Sequence, residues 1–160
     1  MNTKKQIEKS TAEEFLRLYN QKFGSSFRID KLSDNPDVLC QDADGNKLNL
    51  EITLTEDRDG DIKALLGKSN HRDLKYVKEY GMGPASSLYG NVYDQLRKTI
   101  EKKMKNDYGS RVALVIRSTS GVEWNWEWFE EDLKEQFKET KNPFDMGIWI
   151  LDYGEIYKIF

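Results

Sequence analysis

The sequence predicts a single α/β domain over residues 1–160, in which helices flank a central mixed sheet. Apolar residues recur at helical spacing in three segments, and short alternating or continuous apolar runs typical of strands lie between and after them. With 160 residues and a hydrophobic content of 38%, the chain can close one core between two layers. No repeat or linker divides it. We therefore expect an α+β order of helix, three strands, helix, strand, helix and C-terminal β-hairpin.

The first helix is predicted around a capping-box pattern, in which Ser10 is followed three residues later by Glu13. A frayed extension is expected upstream. Apolar residues then recur at helical spacing until Gly24: Ala12, Phe15, Leu16, Tyr19 and Phe23. Three strand-like segments follow, at residues 27–32, 37–41 and 48–54. We expect them to form an antiparallel meander, with residues 42–46 as the turn between the last two.

The second half of the chain begins with a long irregular segment, residues 55–87, of a length that often serves function. The next helix is predicted from one apolar stripe and is expected to close at Gly109: Leu88, Val92, Leu96, Ile100 and Met104. Residues 112–116 are apolar on both faces, which indicates a central covered strand. A third helix is expected over residues 124–138. The hairpin then pairs residues 147–151 with residues 155–160.

Composition excludes several classes of protein. The net charge of −3 gives no overall attraction to nucleic acid, although residues 61–111 carry eleven Lys or Arg against six Asp or Glu. The single cysteine, Cys40, excludes an intramolecular disulfide framework, and the first residues do not resemble a secretion signal. No apolar run approaches the roughly 20 residues that cross a bilayer. We therefore expect a cytoplasmic protein. One histidine, His71, excludes multi-histidine zinc sites.

Two carboxylates carry the strongest chemical signal. Asp37 opens one predicted strand, and Glu51 lies 14 positions later (51 minus 37) in the strand paired with it. Each alone has an ordinary explanation, because Asp after Pro is frequent in turns and Glu in a strand usually faces water. A hairpin would bring the two together, and converging carboxylates repel each other unless a cation lies between them. A hard divalent ion such as Mg²⁺ or Mn²⁺ suits such oxygen ligands.

The stretch Pro36-Asp37, the hairpin and Glu51-Ile52-Thr53 resemble the motif of the PD-(D/E)XK nuclease superfamily. The order of elements through Ile116 is similar to that family's common core, so the resemblance covers about two-thirds of the chain. It implies a restriction-endonuclease-like fold, with Asp37, Glu51 and the backbone carbonyl of Ile52 as metal ligands. It also implies metal-dependent hydrolysis of phosphodiester bonds in DNA.

One position departs from this pattern, since Thr53 stands where the family usually has a lysine that positions the attacking water. A threonine hydroxyl supplies no positive charge. Some relatives place a lysine or glutamine on the following helix, where this chain offers Gln95, Lys98 and Lys102. The family often has a glutamate on the first helix, which would be Glu13, although the capping box explains that residue equally.

The sequence leaves two functions open for this fold, besides a third alternative, an unrelated small α/β interaction domain. The first is a Mg²⁺-dependent DNA endonuclease or exonuclease-like domain. The second keeps the fold without the activity, as a noncatalytic module that binds a protein or nucleic acid. In and beside residues 124–129, the tryptophans Trp124, Trp126 and Trp128 interleave with Glu123 and Glu127, which predicts core packing or an interface with a protein partner or a second copy.

Overall fold

The computed structural model describes residues 3–54, 87–118, 126–152 and 154–160. Helices within these ranges are α1 (Thr3–Phe23), α2 (Ser87–Met104) and α3 (Trp126–Phe137). The strands are β1 (Arg28–Leu32), β2 (Val38–Gln41), β3 (Asn49–Leu54), β4 (Val112–Arg117), β5 (Ile148–Asp152) and β6 (Glu155–Lys158). The predicted order of elements is confirmed across these ranges. None of the three helices has the length and apolar composition needed to cross a membrane.

The strands form one open mixed sheet in the order β1-β2-β3-β4-β5-β6. Neighbours are antiparallel at both ends of the sheet and parallel in its centre, where β4 lies between β3 and β5. β5 is buried along its whole length and β4 along all but its last residue, as expected for strands covered on both faces. The fold is therefore α+β, with the predicted meander at one edge of the sheet and the predicted hairpin at the other.

Two apolar clusters lie on opposite faces of this sheet, because successive side chains of a strand alternate between its faces. Leu50 and Ile52 of β3 join Phe15 of α1 in one cluster. The other cluster combines Leu114 of β4 with buried residues of α2 and α3. α1 thus covers one face of the sheet, while α2 and α3 cover the other. Glu51, between Leu50 and Ile52, is directed towards the face that α2 covers.

The predicted ends of two helices were wrong. α1 begins at Thr3, which places Ser10 inside the helix, so Ser10 and Glu13 do not form a capping box. The chain has no Gly or Pro before Gly24, and ion pairs with Glu8 favour the extra turns. α2 ends at Met104, ahead of Gly109. There, i to i+3 hydrogen bonds from the amides of residues 105 and 106 tighten the chain after the helix.

Candidate metal centre

Asp37, directly before β2, and Glu51, on the neighbouring strand β3, project towards the same face of the sheet. Val38 pairs with Leu50 across β2 and β3, and both of those side chains pack on the α1 face. The residue before Val38 and the residue after Leu50 are therefore both directed to the opposite face. Asp37 and Glu51 are only 6% and 5% exposed. The two acids thus converge at a position largely shielded from water.

The contacts of the two carboxylates come from different parts of the chain. The backbone amide of Ile52 donates a hydrogen bond to Oδ2 of Asp37 at 2.8 Å. The ammonium of Lys103, in the last turn of α2, donates to Oε2 of Glu51 at 2.7 Å. The other oxygen of Glu51, Oε1, is buried and has no hydrogen-bond partner among the described residues. One acceptor of this centre is therefore left for a ligand.

Three ionisable side chains affect one another in this centre: Asp37, Glu51 and Lys103. Burial, together with the charge of Glu51 and a hydrogen bond to it, raises the pKa of Asp37 to about 6, although the Ile52 amide and the charge of Lys103 act against this shift. Burial by itself would lower the pKa of Lys103, but its hydrogen bond to Glu51 and the charges of Glu51 and Asp37 outweigh burial and raise it. Lys103 is therefore a stable ammonium at neutral pH.

Tyr108 fixes the end of α2 from which Lys103 extends. Its hydroxyl donates to the backbone oxygen of Lys103 at 3.0 Å and accepts from the side-chain amide of Asn106 at 3.2 Å. Its ring is 5% exposed and stacks on Phe144 with centroids 5.1 Å apart. Tyr108 thus attaches the last turn of α2 to the apolar cluster on the α2 face of the sheet, near Asp37 and Glu51.

Replacing Tyr108 by Phe tests this attachment. The ring and its stacking on Phe144 remain, while the carbonyl of Lys103 loses its side-chain donor. We expect the free energy of unfolding to fall by about 1 kcal/mol, the usual net contribution of one such hydrogen bond. Chemical denaturation measures the change. Tyr19→Phe, in α1 on the opposite face, is the matched control, and an equal loss in both variants would contradict the assignment.

The structure places Thr53, Gln95, Lys98 and Lys102 beside this centre instead of within it. They line a cavity of about 810 Å³ between the first turns of α1, the end of β3 and one side of α2, together with Ile52 and Lys103. Thr53 lies two residues after Glu51 on β3 and is half-buried. The ammonium that contacts the acidic pair belongs to Lys103, which the sequence analysis did not select.

The first-helix glutamate near the centre is also a different residue from the one predicted. Glu13 has an exposed side chain and forms a 3.9 Å ion pair with Lys9 on the same helix. Glu8, in contrast, is 4% exposed and lines the same cavity as Lys103. Its carboxylate pairs with Lys5 at 3.3 Å and with Lys4 at 3.8 Å.

A sequence signal for Lys103 existed. The residue lies three positions after Ile100 and seven after Leu96, so it borders the buried stripe of α2. Lys102 is exposed and lies about 100° further round the helix from that stripe, so periodicity favours Lys103. No comparable signal marked Glu8, because the helix start was placed downstream of it.

Other predicted sites fall into three groups. The turn at residues 42–46 is confirmed, since the carboxylate of Asp42 accepts from the amides of Asp44 and Asn46 at 2.9 Å each. Of the aromatic segment, Trp126 and Phe129 are buried, and the Trp126 indole donates to Oδ2 of Asp152 at 2.8 Å. Trp124, His71 and the long segment after residue 54 lie outside the described residues.

The donors present fit a hard divalent cation. Within the ranges that the structure describes, no group of three His, Cys, Asp or Glu side chains could hold a metal ion. A cation at this centre would therefore rely on Asp37, Glu51 and main-chain oxygen, with water or substrate completing the shell. Mg²⁺ is usually bound in this way, through one or two carboxylates. The partnerless Oε1 of Glu51 is an additional observation in favour of such an ion.

Comparison of the chain with protein-family models, with curated proteins and with solved structures gives no match.

Proposed function

We propose that this protein is a metal-dependent nuclease of the PD-(D/E)XK type, with a restriction-endonuclease-like core, that hydrolyses phosphodiester bonds in DNA. The observation that carries the proposal is the 2.7 Å contact between Lys103 and Glu51, beside buried Asp37. The sequence motif lacks its lysine at Thr53, and this contact supplies a lysine to the same acidic pair from α2. The order of elements and the position of both acids on adjacent strands support the same proposal.

In this proposal Asp37, Glu51 and the carbonyl of Ile52 hold Mg²⁺ or Mn²⁺. The amide of Ile52 would keep Asp37 oriented, and the carbonyl of Ile52 would be the third protein ligand. When bound, the ion would make water a stronger nucleophile and stabilise negative charge on the phosphate. Lys103 remains protonated at neutral pH, so it acts by hydrogen-bond donation and positive charge, orienting the attacking water and the phosphate instead of removing a proton.

A metal titration tests the centre directly. We expect wild-type protein to bind Mg²⁺ or Mn²⁺ in calorimetry, and both Asp37→Ala and Glu51→Ala to weaken that binding by at least about tenfold, since each removes one of two carboxylate ligands. Asp44→Ala, which removes an exposed carboxylate from the turn after β2, is the matched control. The same preparations are assayed for cleavage of plasmid and single-stranded DNA with metal or with chelator.

The outcomes separate the two functions that the sequence leaves open. Metal binding that depends on both acids, with metal-dependent cleavage, supports the nuclease. Metal binding without cleavage favours a noncatalytic module that binds a protein or nucleic acid. That alternative has one observation in its favour, because Lys103 already neutralises Glu51 as a structural ion pair would. Wild-type protein that ignores both ions would contradict the metal centre itself.

A further inference from the structure

We propose that the cavity beside α2 holds a short piece of single-stranded nucleic acid, with Lys98 and Lys102 contacting neighbouring phosphates. This inference rests on the proposed function, because it names the substrate that would reach the acidic pair. It gives a role to the residues that the sequence analysis had assigned to the attacking water. It also predicts that the protein prefers a single strand to a duplex.

The arrangement of α2 is the first argument. Gln95, Lys98, Thr99 and Lys102 follow one another at spacings of three, one and three residues, which puts them on one side of the helix, and all four line the cavity. Lys103, one residue further, reaches Glu51. The polar side of α2 therefore leads directly to the acidic pair. A strand lying along it would bring one of its phosphates to Asp37 and Glu51.

Unbalanced charge is the second argument. The lining contains four lysines and one glutamate. Lys103 is paired with Glu51, while Lys4 and Lys5 both lie by Glu8. Lys98 and Lys102 are exposed and have no acidic partner among the described residues. They lie one helical turn apart, about 6 Å along the axis. That distance is of the order of the separation between neighbouring phosphates in a strand, so both contacts can form at once.

The size and chemistry of the cavity favour binding of a single strand over binding of a duplex. Its volume of about 810 Å³ is within the range of roughly 300–1,000 Å³ that is common for small-ligand sites. A few nucleotides fit such a volume, whereas a duplex offers grooves that protein elements must enter from outside. The described lining has no aromatic side chain on which bases could stack. Lysine contacts to phosphates carry no base information, so we expect binding that does not depend on sequence.

The test measures binding without cleavage. A fluorescent 12-nucleotide thymidine strand is titrated with the full chain in chelator, over a series of salt concentrations. The double variant Lys98→Gln/Lys102→Gln should bind at least about tenfold more weakly than wild type at low salt. It should also lower the slope of log affinity against log salt by about 1.4, because each phosphate contact on a single strand contributes roughly 0.7.

The matched control is Lys134→Gln/Lys138→Gln, which removes the same charge from exposed positions on and just after α3. It should leave the slope unchanged. A uridine strand of equal length is titrated in parallel. A lower salt slope of the α2 variant on either strand supports binding in the cavity. The strand on which the slope falls identifies DNA or RNA as the ligand. Unchanged affinity and slope in the α2 variant, or tighter wild-type binding to a duplex of the same length, overturns the inference.

Cleavage assays keep this result separate from the proposed function. If the protein cleaves DNA with metal but the α2 variant keeps its salt slope, the nuclease proposal stands and the strand site fails. If the slope falls as expected but no preparation cleaves DNA with metal, the strand site stands and the nuclease proposal fails.

Discussion

Under the proposed function, replacing Lys103 by Met should lower the rate of metal-dependent DNA cleavage by about 10²- to 10³-fold, the range typical for removing one positioned hydrogen-bond donor. The ammonium that contacts Glu51 is the only cation hydrogen-bonded to the acidic pair among the described residues. Its loss should reduce kcat, because it acts on water and phosphate during the reaction. Steady-state kinetics on a short DNA substrate measures the effect.

Lys102→Met is the matched control, since it makes the same substitution one residue away on the same helix. Lys102 lines the cavity without contacting the acidic pair, so its loss should raise KM and leave kcat near the wild-type value. The reverse result, with kcat lost in Lys102→Met and retained in Lys103→Met, would assign the role to Lys102 as the sequence analysis allowed.

A second measurement keeps the Lys103 prediction testable if the variant is unstable. The Lys103→Met substitution leaves Glu51 buried without its ion-pair partner, and breaking a buried pair from one side is usually strongly destabilising. A divalent cation can replace the missing ammonium. Mg²⁺ should therefore raise the melting temperature of Lys103→Met by more than it raises that of wild type. An equal shift in both proteins would contradict binding of the ion beside Glu51, because removing the charge of Lys103 would then not affect it.

The strands and the acidic pair could be predicted because both depend on short-range pattern. Alternation in residues 48–54 fixes which side chains share a face, and one hairpin fixes the distance from Asp37 to Glu51. Lys103 joins Glu51 across 52 residues of chain. Its contact depends on how α2 is rotated against the sheet and on where that helix ends, and neither is encoded within the helix itself.

The capping-box error has a similar origin. Ser10 and Glu13 fit a local pattern for a helix start, but an uninterrupted helix from Thr3 satisfies the same backbone groups within the helix. The local preference for a helix start at Ser10 is weak compared with the stabilisation from a longer helix that also packs on the sheet. Buried Glu8 lies on the turns gained in this way, which is why the glutamate of α1 beside the cavity was missed.

We expect Asp37→Asn to abolish the proposed metal-dependent cleavage and to stabilise the protein above about pH 6. The pKa of Asp37 is raised from 3.8 to about 6 by burial and by Glu51, so the folded protein binds this proton more tightly than the unfolded chain does. The stability contributed by the protonated carboxyl is present below pH 3.8 and is lost as the pH rises through about 6. Asn does not ionise, and its side-chain oxygen can still accept from the Ile52 amide.

The gain in the free energy of unfolding should therefore be small at about pH 4 and on the order of 3 kcal/mol at about pH 8, since the pKa is raised from 3.8 to about 6 and one pKa unit corresponds to about 1.4 kcal/mol. Denaturation in chelator at both pH values measures it. Asp30→Asn, at an exposed position of edge strand β1, is the control substitution.

Adding Mg²⁺ should make wild type more stable than Asp37→Asn. The ion would stabilise ionised Asp37 in wild type, whereas Asp37→Asn lacks that carboxylate ligand. A substitution that raises stability while it removes activity is expected when the carboxylate serves to bind a cation and does not serve folding. A loss of stability at every pH in Asp37→Asn would instead make Asp37 a structural anchor for the Ile52 amide. The repulsion between the buried carboxylates of Asp37 and Glu51, from which we infer the metal centre, would then be absent.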